Sequence, residues 1–108
     1  MKLLPALSDP AHDLYVSAAS IWEMAIKIRL GKLKLHVDLA EFVATQTGPG
    51  VAEVLAITAT HALGVALVPQ HHRDPFDHMI VAQAKAEQMT VVSADRALRA
   101  YDVPILWD

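Results

Sequence analysis

The order in which short apolar runs alternate with helical segments constrains this chain more than any other feature. Four runs are typical of strands: "LYV" at 14–16, "VAEVLAI" at 51–57, "TVVS" at 90–93 and "VPILW" at 103–107. Helices are predicted between them, at 18–32, from Asp38 to Gln46, from Thr58 to near Gly64, at 75–88 and at 94–101. This order predicts an α/β fold with a mainly parallel central sheet and helices on its faces.

The first predicted helix follows a strand directly and is apolar around most of its circumference. Ser17 or Ser20 can cap its start, and Gly31 can end it in the left-handed conformation. We expect a helix of this composition to be largely buried, with Trp22 in the core. The alternating "KLKLHV" that follows at 32–37 predicts a short extended piece.

Composition fits one soluble domain spanning residues 1–108. Of these residues 54% are hydrophobic, which is enough for a core in a chain of this size. No apolar run reaches the length of a membrane span, and the first residues do not form a secretory signal. The absence of cysteine excludes disulfides and thiolate metal sites and fits a reducing compartment, so we expect a cytoplasmic protein without membrane contact.

The net charge by itself does not indicate a nucleic-acid partner, since it is −3. Four basic residues nevertheless lie within eight positions: Lys27, Arg29, Lys32 and Lys34. Such a run is either a solvated face or a weak RNA-binding patch, and the pattern favours the solvated face.

Glu23 lies on a narrow polar strip of the first helix together with Ser20 and Lys27. An ion pair between Glu23 and Lys27, four positions apart, would contribute only a few tenths of a kcal/mol at a solvent edge. The alternative is a functional carboxylate near the carboxyl end of the preceding strand, where sites gather in parallel sheets. The pattern alone leaves these two interpretations even.

Asp77 is the third residue of a helix that Asp74 caps and Pro75 begins. A carboxylate there interacts favourably with the helix dipole. Asp77 also shares the stripe of Ile80, Val81 and Ala84, which should face the sheet. Because a carboxylate turned toward a core needs a cation or donors, the pattern favours a functional role for Asp77 and a capping role for Asp74.

Asp95 closely follows the "TVV" run, at the carboxyl end of a strand and the start of a helix. It is either a helix cap, for which Ser93 competes, or part of a site. One edge of a parallel sheet would hold Glu23, Asp77 and Asp95. Carboxylates gathered there would repel one another unless a cation neutralised them. Oxygen ligands without cysteine indicate Mg²⁺ or Mn²⁺.

Three histidines near this segment, His71, His72 and His78, do not have the spacing of the usual zinc sites. We expect them in loops or at the surface.

The chain resembles the PIN domain of VapC-type toxins, the toxin halves of type II toxin–antitoxin pairs. The resemblance spans residues 14–107 and rests on "VSAASIWEMAIKIRLGKLKL", "HHRDPFDHMIVAQA" and "TVVSADRALRAYDVPILW". The separation of Asp77 and Asp95 by 18 positions also agrees with the family pattern. This resemblance implies an α/β/α sandwich and a Mg²⁺- or Mn²⁺-dependent endoribonuclease.

The same resemblance implies roles for individual residues. Glu23, Asp77 and Asp95 match the family's second, third and fourth acids, which hold the metal ion and carry catalysis. Ser93 matches the small hydroxyl residue two positions before the last acid, and Asp74 belongs to the motif of the toxin subgroup. His78 stands where an arginine is more usual.

The N-terminal segment 1–13 departs from the family, which opens with an apolar strand that ends in an aspartate and about two helices. Here "MKLL" can begin that strand, but only nine residues separate it from Leu14. Asp9 and Asp13 lie in a turn sequence, so the first acid is transferred to neither. We expect residues 1–4, or a strand of a partner chain, to fill the place of the missing strand.

Three hypotheses remain open at this point. The first is a toxin-like endoribonuclease, impaired by loss of one acid, with RNA as substrate, a cognate antitoxin and a second copy of the chain as partners. The second is a non-catalytic module that binds an antitoxin or dimerises. The third is a shortened, marginally folded remnant.

Overall fold

Four short strands form one mixed sheet in the computed structural model, which describes residues 6–11, 13–69 and 74–92. They are β1 (Ala6–Ser8), β2 (Leu14–Ser17), β3 (Glu53–Leu55) and β4 (Thr90–Val92), in the order β3-β2-β1-β4. Strand β2 is parallel to β3, whereas β1 is antiparallel to both β2 and β4. Strands β2, β3 and β4 therefore share one direction, and the predicted α/β class is confirmed with β1 as the exception.

Strand β1 takes the place between β2 and β4 that the family's first strand would occupy. It is formed by Ala6–Ser8, slightly later in the chain than the predicted residues 1–4, and not by a partner chain. Its reversed direction follows from the short connection to β2, because a parallel connection needs a dozen or more residues. Asp9 closes the turn: its N–H donates to the Asp13 carbonyl at 3.2 Å, and its Oδ1 accepts from the Asp13 N–H at 2.9 Å.

The described residues also form four α-helices: α1 (Ala18–Arg29), α2 (Leu39–Gln46), α3 (Ala59–Gly64) and α4 (Pro75–Glu87). A 3-10 turn at Val65–Leu67 follows α3. Within residues 6–11, 13–69 and 74–92, no helix combines the length and apolar character that crossing a membrane requires. The predicted helix at 94–101 and strand at 103–107 lie outside the described residues.

The predicted start of α1 and its left-handed glycine are confirmed, but the helix ends at Arg29, three residues before the end of the predicted range, and the extended piece after it is not found. Ser17 caps the helix, with its hydroxyl accepting the N–H of Ala19, so Ser20 is not the cap. Gly31 follows the helix with φ at 74°, a conformation that glycine adopts without strain. Residues 32–37 form no strand, because no described strand pairs with them.

Helix α1 is more exposed than its apolar sequence predicts. Its buried residues are Ala19, Ser20 and Met24, whereas Trp22 keeps 59% of its surface accessible. The prediction of a largely buried helix with Trp22 in the core is therefore wrong. The described part of the chain covers only one side of α1, and apolar residues on the other side stay accessible.

The main core joins the sheet to α4. Leu7 of β1 lies opposite Tyr15 of β2 and Val91 of β4 in register, so these three side chains share one face. The buried cluster that contains Leu7 and Val91 also includes Val68, Ile80, Val81, Ala82, Ala84 and Met89. Burying each large aliphatic side chain contributes roughly 1.5–3 kcal/mol, which holds α4 firmly against the sheet.

Candidate active site

Two contacts define how α1 and α4 pass each other. At the start of α1, the Ser17 hydroxyl donates to Gln83 Oε1 at 2.6 Å. Five residues later, the Trp22 ring meets the Phe76 ring edge to face, with centroids 5.1 Å apart and an interplanar angle of 80°. Between these two contacts the residue number rises along α1 and falls along α4. The two helices therefore run in opposite directions past each other.

This arrangement brings Glu23 and Asp77 to a common level. Glu23 lies six residues after Ser17, and Asp77 lies six residues before Gln83. In both helices this offset is roughly 9 Å along the axis, at 1.5 Å per residue. Residues at equal offsets on opposed helices lie at a similar level along the two axes. Each acid also directly follows one member of the Trp22–Phe76 contact.

Glu23 is half-buried and forms the ion pair that its spacing predicts. Its carboxylate oxygen lies 3.1 Å from the Lys27 ammonium, and its side chain keeps 23% of its surface against 49% for Lys27. An exposed pair of this kind adds only a few tenths of a kcal/mol to stability. The carboxylate is therefore accessible and weakly held, which suits a group that can also meet a cation.

Asp77 lies in the first turn of α4 and on the stripe that was predicted to face the sheet. Ile80, Val81 and Ala84 of that stripe are all at most 2% exposed, whereas Asp77 itself is half-buried. The first turn of a helix favours a negative charge, because the amide groups there point their partial positive charge outward. Asp77 thus continues the buried apolar stripe of α4 into the first turn of the helix, the part of α4 that lies level with Glu23.

Asp74 has the capping role that its position predicts. Its side chain accepts the N–H of Phe76 at 2.9 Å, and Pro75 follows as the first helical residue. His78, one residue beyond Asp77, keeps only 6% of its surface, so the prediction of a surface histidine is wrong there. The reason is that α4 is enclosed on several sides around its middle. His71 and His72 lie outside the described residues.

The four basic residues of the predicted run are exposed to solvent, as both a solvated face and an RNA-binding patch require. They lie along the second half of α1 and the segment after it: Lys27, Arg29, Lys32 and Lys34. One of them is the partner of Glu23 and so lies one helical turn from the candidate site. The others lie progressively farther along the chain.

The two acids before β2 lie at the opposite edge of the sheet. Strand β1 begins at Ala6, opposite Val92, and ends at Ser8, opposite Leu14. Asp9 directly follows β1 and so lies at the edge of the sheet that is far from Glu23. A cavity of about 770 Å³ lies there, lined by residues 13–15 and 47–54. Asp9 and Asp13 therefore lie at the edge of the sheet opposite to the candidate site. Residues 1–8 contain no carboxylate, so β1 brings none to the candidate site.

This opposite edge carries a negative potential. The Tyr15 hydroxyl donates to Asp9 Oδ2 at 3.4 Å. Desolvation raises the pKa of the Tyr15 phenol, and the nearby charges of Asp9, Glu53 and Asp13 raise it further. The same carboxylates would repel a phosphate backbone that approached this edge.

A buried hydroxyl without a partner lies beside Glu23. Ser20 is 1% exposed, shares the polar strip of Glu23 one turn earlier, and its Oγ has no hydrogen-bond partner among the residues described. Leaving such a group unsatisfied costs about 1–3 kcal/mol. A bound ion with its water would offset that cost, and oxygen donors of this kind fit Mg²⁺ or Mn²⁺.

The third predicted acid, Asp95, and Ser93 beside it lie outside the described residues. Strand β4 ends at Val92, on the same edge as Ser17 of β2, because both strands are antiparallel to β1. The chain therefore leaves the sheet toward the edge from which α1 starts. Within residues 6–11, 13–69 and 74–92, no three histidine or acidic side chains gather closely enough to bind a metal by themselves.

Sequence reasoning missed two buried polar residues near this site, Gln83 and His61. Both have essentially no exposed surface, and Gln83 bonds the cap of α1 as described above. The available signal was a lone glutamine among alanines in "VAQAKA", because a polar residue on an enclosed helix must find partners. His61 had no comparable signal, since a capping histidine three residues after a threonine is an uncommon pattern.

The comparisons with known proteins agree with this fold. The chain matches the PIN domain family over residues 1–104 and belongs to that family. PIN domains are generally nucleases and typically use divalent metal ions. No curated protein and no solved structure matches the chain significantly.

Proposed function

We propose that the chain is a Mg²⁺- or Mn²⁺-dependent endoribonuclease of the VapC toxin type. The single observation that carries this proposal is that the Ser17–Gln83 and Trp22–Phe76 contacts set α1 and α4 in opposed directions, which puts Glu23 and Asp77 at a similar level along the two helices. Two half-buried acids from distant parts of the chain at one level are what a shared cation requires. Membership of the PIN domain family supports nuclease chemistry at such acids.

In this proposal the metal ion is held by Glu23, Asp77 and Asp95, with Asp74 and Ser93 as secondary candidates. When bound, the ion supplies a nucleophile from water at neutral pH and neutralises charge that develops at phosphorus. Glu23 keeps its carboxylate accessible through its weak pairing with Lys27. Asp77 is held by a helix whose apolar stripe is buried against the sheet, so its position is stiff.

The substrate in this proposal is RNA and enters from the side of α1. The exposed cations Lys27, Arg29, Lys32 and Lys34 lead away from the candidate site along that helix and the following segment. Cations along such a path attract a phosphate backbone without reading its sequence. A cognate antitoxin and a second copy of the chain are further proposed partners.

A second candidate function is supported by the direction of β1. Because β1 is antiparallel and residues 1–8 contain no carboxylate, β1 itself supplies no acid at this edge. One fewer carboxylate weakens metal binding and slows cleavage. The alternative is therefore a non-catalytic module of the same fold that binds an antitoxin or dimerises.

The test is cleavage of RNA by the purified chain in Mg²⁺, in Mn²⁺ and in EDTA. We expect cleavage that depends on the metal and that falls by at least about tenfold in Glu23→Gln and in Asp77→Asn. Asp13→Asn is the matched control, because it removes the same charge from an exposed acid at the opposite edge. Equal cleavage by wild type and Asp77→Asn would contradict the proposal.

Calorimetry separates the two candidate functions. A nuclease binds Mn²⁺, and Asp77→Asn weakens that binding while Asp13→Asn does not. A binding module takes up no Mn²⁺ and cleaves no RNA, yet binds a cognate antitoxin tightly. A sharp thermal transition excludes the marginally folded remnant, which would unfold over a broad range of temperature.

A further inference from the structure

Gln83 is a buried amide whose contacts bring three elements together. Its side chain has no exposed surface, and its Oε1 accepts the Ser17 hydroxyl at 2.6 Å. Ser17 is itself 1% exposed and uses the same oxygen to accept the N–H of Ala19 at 3.0 Å. One short hydrogen bond thus ties the middle of α4 to the residue that ends β2 and caps α1.

The amide nitrogen of Gln83 faces the opposite way. Its Nε2 lies 3.4 Å from the carbonyl oxygen of Ala56, just after β3, and 3.4 Å from Nδ1 of His61 in α3. These two contacts are longer and weaker than the bond to Ser17. Together they leave one orientation for the amide, with its oxygen toward α1.

His61 is fixed by its own partners, which makes it a firm support for Gln83. Its ring Nδ1 accepts the backbone N–H of Thr58 at 3.1 Å, and its backbone N–H donates to the Thr58 hydroxyl at 3.2 Å. Its Nε2 lies 2.7 Å from Glu87 Oε2, near the end of α4. This network assigns the imidazole proton to Nε2 and leaves Nδ1 as an acceptor.

We propose that Gln83 is a positioning residue that sets the separation of Glu23 and Asp77. The inference rests on the function proposed above and deepens it. Ser17 and Gln83 form the junction from which both acids are reached by six residues of helix. Any change in this junction is carried along α1 and α4 to the two carboxylates, because helices are stiff over such lengths.

The proposed role of Gln83 requires its polar amide group and not only the volume of its side chain. An apolar residue there would fill the same space in the buried middle of α4, and the core would lose no packing. Such a residue would leave the Ser17 hydroxyl without its acceptor, and α1 would lose the bond that orients its start. The amide therefore contributes to the stability of the fold and also orients the start of α1, and the tests below separate these two effects.

The first test compares Gln83→Met with Leu7→Val in the full chain. Methionine keeps the length of the side chain and removes its polar atoms, while Leu7→Val destabilises the core without removing a hydrogen bond of the junction. We expect Gln83→Met to raise the dissociation constant for Mn²⁺ by about fivefold or more, measured by calorimetry. Leu7→Val should leave this constant unchanged, even where its melting temperature is lower.

The second test reads the helices directly and needs no metal. With Trp107→Phe as background, Trp22 is the single tryptophan and can carry fluorine for ¹⁹F NMR. We expect Gln83→Met to shift or broaden the Trp22 signal, because Trp22 contacts Phe76 across the two helices. Leu7→Val should leave the signal in place.

Variants of Ser17 check the same bond from its other side. Ser17→Thr keeps a hydroxyl that can cap α1 and donate to Gln83, so its Trp22 signal and Mn²⁺ binding should match wild type. Ser17→Ala removes the donor to Gln83 together with the capping oxygen, so its Trp22 signal should shift at least as far as that of Gln83→Met. Ser17→Ala also replaces Gln83→Met as the deciding variant if that protein does not fold.

An unchanged Trp22 signal together with unchanged Mn²⁺ binding in folded Gln83→Met would overturn the positioning role. Failure of the proposed function has a different signature, namely that wild type itself binds no Mn²⁺ and cleaves no RNA. In that case the Trp22 signal alone decides whether Gln83 sets the relation of the helices: a shift in Gln83→Met supports it, and no shift overturns it.

Discussion

Trp22 and Phe76 meet edge to face although 54 positions separate them in the chain, with ring centroids 5.1 Å apart. Each is followed directly by an acid, Glu23 in α1 and Asp77 in α4. Edge-to-face ring pairs contribute about 0.5–1.5 kcal/mol beyond their buried area. The contact therefore stabilises the packing of α1 on α4 next to both acids, while Trp22 stays largely exposed.

Variants of the Glu23–Lys27 ion pair distinguish an effect on the free energy of unfolding from an effect on Mn²⁺ binding. Glu23→Gln and Lys27→Met both remove the ion pair, and each should lower the free energy of unfolding by only about 0.3–0.5 kcal/mol. Only Glu23→Gln removes a proposed metal ligand, so only it should weaken Mn²⁺ binding, by at least about tenfold. Calorimetry and thermal unfolding of both variants test this, and equal losses of Mn²⁺ affinity would contradict it.

Asp77→Asn should leave the metal-free protein as stable as wild type or more stable. The change removes one of several negative charges proposed to gather at this edge, and so relieves their repulsion. Thermal unfolding in EDTA measures the effect. A clear decrease in melting temperature would instead indicate that the interaction of Asp77 with the first turn of α4 dominates.

Asp74→Ala should destabilise the protein by about 1 kcal/mol, a decrease of several degrees in the melting temperature. The reason is the loss of the cap that accepts the Phe76 N–H at 2.9 Å. Asp74→Ser keeps a capping oxygen and is the control, with an expected loss of a few tenths of a kcal/mol. If both variants were equally destabilised, the negative charge of Asp74 rather than its capping bond would be responsible.

Tyr15 should make stability depend on pH in the alkaline range. Desolvation and the charges of Asp9, Glu53 and Asp13 raise the pKa of its phenol above 10.0, so the folded state disfavours the phenolate. Its contribution to stability is complete below pH 10 and is lost as the pH rises through the folded-state pKa. Denaturant midpoints from pH 9 to 11 should therefore fall more for wild type than for Tyr15→Phe.

Local sequence signals predicted the helices well because each signal acts over a few neighbouring residues. The cap at Ser17, the start of α4 at Asp74 and Pro75, and the left-handed Gly31 all follow from bonds within one turn. The parallel relation of β2 to β3 followed from the helical connection between them. The strand at Ala6–Ser8 was misplaced by a few residues, because a three-residue strand carries almost no periodic signal.

Local sequence patterns also predicted one part of the candidate site and not the other. Asp77 could be assigned to the buried stripe of its helix, since Ile80, Val81 and Ala84 recur with helical spacing. That Glu23 lies level with it depends on the opposed directions of α1 and α4, which no local pattern encodes. The exposure of Trp22 also escaped the sequence, because an apolar residue shows a preference for burial but not whether a neighbour covers it.

By itself, the sequence determined the class of the fold, the ends of its helices and the kind of side chains available for chemistry. These depend on backbone preferences and on periodicity, which are written into neighbouring residues. The tertiary structure decided that β1 runs against the other strands, that Gln83 reaches Ser17, and that two acids from distant helices share one level. Such relations arise only when the chain packs, because they depend on distances between residues that the sequence places far apart.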